Sequence, residues 1–147
     1  MQIHTLQSKI HDVQGQKVIL DFDLSVLYEV ETKVLNQAVK RNIKRFPVDF
    51  MFRLNIEEWE SMRSQIVTAN QNKRNVTVTP FAFTEQGIAM LSGILNSDVA
   101  IHVNIAIMRT FVIIRKYALE HKEFNEKLLE IETKYDKKFS DVYEALN

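Results

Sequence analysis

The stretch FDLSVLYEVETKVLNQAVKRNIKRFP, residues 22–47, contains two segments with the apolar spacing of short amphipathic helices. The first predicted helix covers about residues 22–29, and a tight turn follows at residues 30–31. Thr32 is expected to cap a second helix that runs to about residue 43. Its apolar residues share one helical face: Val34, Leu35, Ala38, Val39 and Ile43. Two helices joined by so short a turn have the proportions of a helix-turn-helix.

The polar face of the second predicted helix is basic. Five basic residues lie within thirteen positions that contain no acid: Lys33, Lys40, Arg41, Lys44 and Arg45. The whole chain is neutral, with 19 basic and 19 acidic residues, whereas residues 33–74 hold nine basic and four acidic ones. Local positive charge on a neutral protein is typical of a polyanion-binding face, although a solvated helix face is the simpler alternative.

We expect this face to contact double-stranded DNA. The four basic residues at the end of the helix would contact phosphates, the two amides would read base edges, and Lys33 could do either. The helix N-terminus with the Thr32 hydroxyl could hold a phosphate oxygen. Two further basic residues, on a polar loop at residues 70–75, either add a backbone contact or are only solvated. The predicted contacts are Thr32, Lys33, Asn36, Gln37, Lys40, Arg41, Lys44, Arg45, Lys73 and Arg74.

Short strands and helices surround the quoted stretch, which predicts an α+β fold. Gln14-Gly15 predicts a hairpin turn, and Asp21 or Asp23 is expected to cap the first of the two helices. DFMFRLN, residues 49–55, and VTVTPFAFT, residues 76–84, are predicted strands. Further predicted helices begin after a capping box of Asn55 and Glu58, at Thr84 (through Leu95) and at Asp98. IHVNIAI also alternates like a strand, but its long apolar context favours a helix.

The last thirty residues have the pattern of a separate amphipathic helix. Its apolar residues are spaced by 4, 3, 4, 4, 3 and 4 positions: Phe124, Leu128, Ile131, Tyr135, Phe139, Val142 and Leu146. This is a coiled-coil seam with one stutter between Tyr135 and Phe139. We expect residues 116–147 to form a homodimer, with folding back onto the domain at residues 1–115 as the alternative.

Catalytic and metal-binding constellations are not recognisable in the sequence. The chain has no cysteine and only three glycines, which excludes thiolate chemistry and a glycine-rich phosphate loop. Its four histidines share no metal-ligand spacing. We therefore expect no enzyme activity, metal or cofactor. The apolar stretch at residues 99–114 is too short for a membrane span, and the N-terminus lacks a signal-peptide pattern, so a cytoplasmic protein is expected.

Three groups of residues together resemble a known family: LY-x-VETK-x-LNQAVKRN, RFP-x-DFMF and AFTEQG-x-AML. The chain is similar over residues 10–115 to the phage open-reading-frame-six N-terminal domain, a relative of the KilA-N domain of phage antirepressor-like proteins. The resemblance implies a small α+β DNA-binding module that is followed by a variable C-terminal region. Glu29 occupies the position of the glycine in the family pattern LYGVET. This departure argues against a tight left-handed turn and adds negative charge near the predicted DNA face.

These expectations describe a DNA-binding transcription regulator of phage or prophage type. The main alternative is a protein-interaction module that binds a repressor rather than DNA, and an enzyme acting on nucleic acid is a weaker third. DNA binding requires the basic and amide side chains of the second helix to be exposed together. A protein-interaction surface should instead present exposed apolar residues among them.

Overall fold

A computed structural model describes residues 3–65 and 78–146 of the chain. Lys73 and Arg74 lie outside these ranges. The elements, in chain order, are α1 (Ile3–Gln7), β1 (Ile10–Val13), β2 (Gln16–Leu20), α2 (Asp21–Tyr28), α3 (Thr32–Arg41), a 3₁₀ turn (Ile43–Arg45), β3 (Met51–Arg53), α4 (Ile56–Gln65), β4 (Phe81–Thr84), α5 (Glu85–Leu91) and α6 (Asp98–Leu146). This mixture of helices with an antiparallel sheet confirms the expected α+β class.

The four strands form one antiparallel sheet in the order β1-β2-β4-β3. Gln14 and Gly15 make the turn between β1 and β2, with φ values of 53° and 75°. Positive φ at both central residues matches the right-handed twist of the two flanking strands, so the predicted hairpin is confirmed. Phe83 of β4 pairs with Ile19 of β2 and Met51 of β3, which places β4 between them.

A hydrophobic cluster links the sheet to α4. One of its buried residues, Trp59, belongs to α4. The other six lie on the strands or next to them: Val13, Val18, Leu20, Phe52, Leu54 and Ala82. The Phe22 ring lies 5.8 Å from the Trp59 ring. The predicted capping box is confirmed, because Glu58 N–H donates to Asn55 Oδ1 at 2.7 Å and Asn55 N–H donates to Glu58 Oε1 at 2.9 Å.

Two of the motifs that carry the family resemblance contact each other. The Thr84 hydroxyl donates to the Asp49 carbonyl at 2.9 Å, and Thr84 N–H donates to the Phe50 carbonyl at 3.0 Å. Thr84 also caps α5, since its Oγ1 accepts the Gly87 N–H at 3.3 Å. A Cβ on Gly87 would lie 2.0 Å from the Phe50 oxygen. Only glycine fits there, so AFTEQG holds the loop before β3 in place.

Several predicted helix boundaries were wrong. Leu20 is the N-cap of α2 and Glu31 the N-cap of α3, and neither side chain makes a capping bond. Neither Asp21 nor Thr32 caps, because each lies within its helix and bonds to another element. The second helix ends at Arg41 rather than at residue 43, and the helix after Thr84 ends at Leu91.

Residues 98–114 are helical, as expected for the apolar stretch that also alternates like a strand. In the described part of the predicted strand at residues 76–84, only Phe81–Thr84 is strand. The structure contains two compact units, residues 1–110 and 111–147. In the second, every side chain from Arg115 to Leu146 is exposed. Within the described ranges, none of the helices combines the length and apolarity needed to cross a bilayer.

Candidate nucleic-acid interface

Helices α2 and α3 are joined by three residues, and the first of them has a left-handed backbone. Glu29 has φ 59° and ψ 41°. Val30 N–H donates to the Ser25 carbonyl at 3.0 Å and Glu29 N–H to the Val26 carbonyl at 3.2 Å, which closes the end of α2. A left-handed turn was not expected with glutamate at this position, yet the structure has one, so that expectation was wrong. These hydrogen bonds offset a conformational cost of roughly 1–2 kcal/mol for a residue with a Cβ.

A pair of hydroxyl groups connects α2 to the first turn of α3. Ser25 Oγ donates to the Phe22 carbonyl at 2.9 Å, and Thr32 Oγ1 lies 2.8 Å from Ser25 Oγ. Each hydroxyl has one proton, so Thr32 donates to Ser25 while Ser25 donates to Phe22. The Thr32 hydroxyl, predicted to bind phosphate, is thus engaged between the two helices. A phosphate at this helix end would meet the backbone N–H groups of α3 and not this proton.

Asn36 is also part of the helix packing. Its Nδ2 donates to Asp21 Oδ2 at 3.1 Å, and the same carboxylate oxygen accepts Phe81 N–H at 3.2 Å. Asp21 is 1% exposed and Asn36 is half-buried. A buried carboxylate that accepts from α3 and from β4 holds both elements to α2. Asn36 was predicted to read bases, but in the structure its side chain helps to hold α3 against α2.

The other predicted side chains on and just after α3 are exposed: Lys33, Gln37, Lys40, Arg41, Lys44 and Arg45. Lys33, Gln37 and Lys40 follow one another at intervals of four and three residues, which places them on one face of the helix. We call this set of six residues the basic face. Arg45 lies in the 3₁₀ turn, with its guanidinium close to Gly93. Five positive charges and one amide are thus presented together to solvent.

A groove of ≈ 570 Å³ lies beside the basic face, between α3 and the edge strand β3. Its polar lining consists of Lys33, Asn36, Gln37, Lys40 and Arg53. The guanidinium carbon of Arg53 lies 4.4 Å from the centre of the Phe81 ring, an arrangement that steadies the arginine by a cation–π interaction. Three cations and an exposed amide therefore surround a concave surface that is suited to an anionic ligand.

Arg53 was missed as a candidate in the sequence. The signal was present, because Phe50, Phe52 and Leu54 alternate in the predicted strand at residues 49–55 and Arg53 falls on the other face. Its partner across the groove, Lys33, is twenty positions away in sequence. No spacing pattern could have indicated this pairing.

Apolar side chains are exposed close to the basic face. Val34 is 48% exposed and Ile43 is 53% exposed, and Ile43 also lines the groove. Isolated exposed apolar residues are common on protein surfaces. Their position among the cations is nevertheless what the alternative of a protein partner predicts.

The Glu29 side chain lines a different groove, of ≈ 550 Å³, along the start of α6. His102 and Arg109 contribute polar groups to it, and the rest of its lining is largely apolar. Near this groove the Tyr28 hydroxyl donates to Asn104 Oδ1 at 2.5 Å, which attaches α2 to α6. Burial raises the pKa of Tyr28 well above its usual value, so the hydroxyl remains a donor.

An ionic cluster lies at the other end of α2. Asp23 Oδ1 lies 3.5 Å from Lys9 Nζ. Burial raises the pKa of Asp23, and Lys9 partly opposes the rise. Burial also lowers the pKa of the nearby His11. In residues 3–65 and 78–146, no group of three or more histidine or acidic side chains is arranged to hold a metal ion.

The ORF6N domain model matches residues 8–94, more than half of the chain. The chain belongs to the ORF6N domain family. The matched region runs from β1 through α5 and contains the helix pair, the basic face and the groove, whereas α6 lies outside it. The family is a regulatory type of domain. No curated protein and no solved structure gives a significant match.

Proposed function

We propose that this protein is a cytoplasmic transcription regulator of phage type, in the manner of an antirepressor, and that it binds double-stranded DNA through the basic face. The observation that carries the proposal is the joint exposure of six polar side chains on and just after α3, of which five are cationic. Five clustered cations suit the regular phosphates of a duplex. The helix is held from behind by Asp21, which leaves its outer face free to enter a groove of DNA.

Each part of the site has a distinct role in this proposal. Gln37 and Lys33 reach base edges, because they are the exposed polar residues in the first two turns of α3. The cations at and after its end contact phosphates: Lys40, Arg41, Lys44 and Arg45. Arg53 binds a phosphate across the groove from α3. Asn36 acts through the position of the helix rather than by touching a base.

The second unit supplies the assembly. A single helix-turn-helix module binds few base pairs, and two modules on adjacent half-sites gain affinity because the second contact is intramolecular. The exposed apolar seam between Phe124 and Leu146 would bury itself in a homodimer. Ile131→Asp should then convert the dimer to a monomer in sedimentation and weaken DNA binding, while the globular unit remains folded.

A repressor-binding module is the second candidate, and the exposed Val34 and Ile43 favour it. In that case the basic face would meet an acidic protein surface, and the apolar side chains would be buried in the contact. Val34→Ser with Ile43→Ser would abolish repressor binding under this alternative. The same pair should change DNA affinity only slightly if the partner is a duplex.

The deciding experiment is the salt dependence of duplex binding. For DNA, the logarithm of the association constant falls linearly with the logarithm of salt concentration, by about 0.9 per phosphate contact. Lys40→Ala with Arg41→Ala, and separately Arg53→Ala, should each make this slope shallower by about 0.9 per cation removed. Lys122→Ala, on the exposed part of α6, is the matched control and should leave the slope unchanged. Equal slopes in all these proteins would exclude the basic face from the interface.

A further inference from the structure

The apolar seam of the second unit repeats every eleven residues. Leu128, Ile131 and Tyr135 are separated by three and four positions, and the next intervals are four, three and four. Each of the three residues is therefore followed eleven positions later by another apolar residue: Phe139, Val142 and Leu146. The break in the heptad pattern is part of this longer repeat. Eleven residues in three turns correspond to about 3.67 residues per turn, close to the 3.6 of a straight α-helix.

The helix carries this seam uncovered. Exposure of the seven seam residues ranges from 41% at Leu128 to 81% at Leu146. At about 100° per residue, all seven fall within a sector of roughly 80° on a straight helix, so no supercoil is needed to keep them on one side. A regular apolar stripe of this length is unfavourable in water. A partner helix of equal straightness could cover it along its whole length.

The two flanks of the seam differ in charge. Lys127, Lys134 and Lys138 lie on one flank, and Glu132 with Asp136 lies on the other. All five side chains are exposed. This asymmetry decides how two copies can pair. In a parallel pair with twofold symmetry, the basic flank of each helix faces the acidic flank of the other, whereas in an antiparallel pair each flank faces its own kind.

We propose that the seam pairs with the same seam of a second copy, in parallel, as a nearly straight helix pair built on the eleven-residue repeat. The proposal rests on the homodimer of the proposed function and adds its orientation and geometry. Opposite charges meet on both sides of the seam, and identical apolar layers meet across it. Both chains then enter the pair from the same end, so both globular units are attached there and can engage one duplex.

Disulfide formation tests the orientation, because the chain has no cysteine of its own. Phe124→Cys and Leu146→Cys, at the two ends of the seam, are made separately in the full chain. In a parallel pair each residue lies next to its own copy, so each variant should form a covalent dimer under mild oxidation. Lys137→Cys, on the opposite side of the helix, is the matched control and should remain uncoupled. Cross-linking that appears only when the two seam variants are mixed would establish an antiparallel pair and overturn the proposal.

Charge reversal tests the orientation of the helix pair independently of cross-linking, because it changes the charged flanks and leaves the apolar seam residues in place. Lys127→Glu with Lys138→Glu should raise the dimer dissociation constant at least tenfold in a parallel pair, since acids would then face acids. In an antiparallel pair, like charges already face each other and the substitutions should not raise the constant. If the wild-type chain sediments as a monomer at tens of micromolar, the proposal of a homodimer is wrong. DNA binding by the basic face is measured separately by the salt slope, so the two failures can be told apart.

Discussion

The side-chain amide of Asn36 donates to the carboxylate of Asp21 across the interface between the two helices, at 3.1 Å. This bond gives Asn36 a structural task, although its residue type and its place on α3 are typical of a base-reading residue. Gln37, one position further on, is exposed. The two neighbouring amides therefore have separate roles, and substitution of each should have a distinct result.

Asn36→Ala should destabilise the protein by about 1–3 kcal/mol, because it removes a donor from a buried carboxylate. Gln37→Ala should change the free energy of unfolding by less than about 0.5 kcal/mol, as is usual for an exposed residue. With selected duplexes, Gln37→Ala should instead relax the preference at one base position, with a cost of about 1–3 kcal/mol. Urea denaturation and competition with random duplex measure the two effects. An Asn36→Ala protein of normal stability with altered base preference would contradict this assignment.

Glu29→Gly should stabilise the protein by about 0.5–1 kcal/mol. Glu29 has a left-handed backbone, which costs a residue with a Cβ more than it costs glycine, and the greater freedom of glycine in the unfolded chain offsets only part of that gain. Thermal unfolding measures the change, and Glu29→Ala is the control that removes the carboxylate but keeps the Cβ. If both variants gain equally, the carboxylate rather than the backbone is the source of strain.

Gly87→Ala should be strongly destabilising, by about 3 kcal/mol, because its Cβ would overlap the Phe50 carbonyl oxygen at 2.0 Å. The matched control is Gly93→Ala, whose Cβ would meet the movable end of the Arg45 side chain at 3.3 Å and the Met90 carbonyl oxygen at 3.4 Å, close to an ordinary contact. Denaturation midpoints of the two variants should differ clearly. Similar midpoints would show that the loop before β3 can move away from α5 at low cost.

The free energy of unfolding should decrease as the pH is lowered, because His11 becomes protonated. Its pKa is lowered chiefly by burial, and Lys9 lowers it further, while Asp23 and Asp12 act in the opposite direction. The native state therefore resists the proton that the unfolded chain accepts near pH 6.5, so the contribution is complete above that pH and is lost below it. His11→Gln should lose less stability than the natural chain between pH 7 and pH 5. Urea denaturation of both proteins across this pH range measures the difference.

Local signals in the sequence predicted much of the fold. The Gln14-Gly15 hairpin, the Asn55 and Glu58 capping box, and the Thr84 cap each depend on a few adjacent residues, and all three form as expected. Such features carry their own hydrogen bonds and need no information from distant parts of the chain. The family resemblance was also readable from short motifs, and the ORF6N domain match confirms it.

Contacts between residues that are far apart in the sequence could not be predicted from local patterns. Asp21 was expected to cap a helix because aspartate near a helix start usually does so, yet it bonds to Asn36 and to Phe81, sixty positions away. Thr32 was also expected to cap a helix, but its hydroxyl bonds to Ser25 instead. For Arg53, the strand position was visible in sequence, but the groove that it lines depends on how α3 packs beside β3.

Trp59 is the single tryptophan of the chain, and it is buried in the cluster between α4 and the sheet. The helix from residue 111 onward contains none, so the tryptophan fluorescence of the protein originates wholly from the globular unit. Its emission should shift to the red when that unit unfolds and remain constant when only the helices separate. Far-ultraviolet circular dichroism, dominated by the 49-residue α6, reports the second event. Natural chromophores thus distinguish the two transitions without an added label.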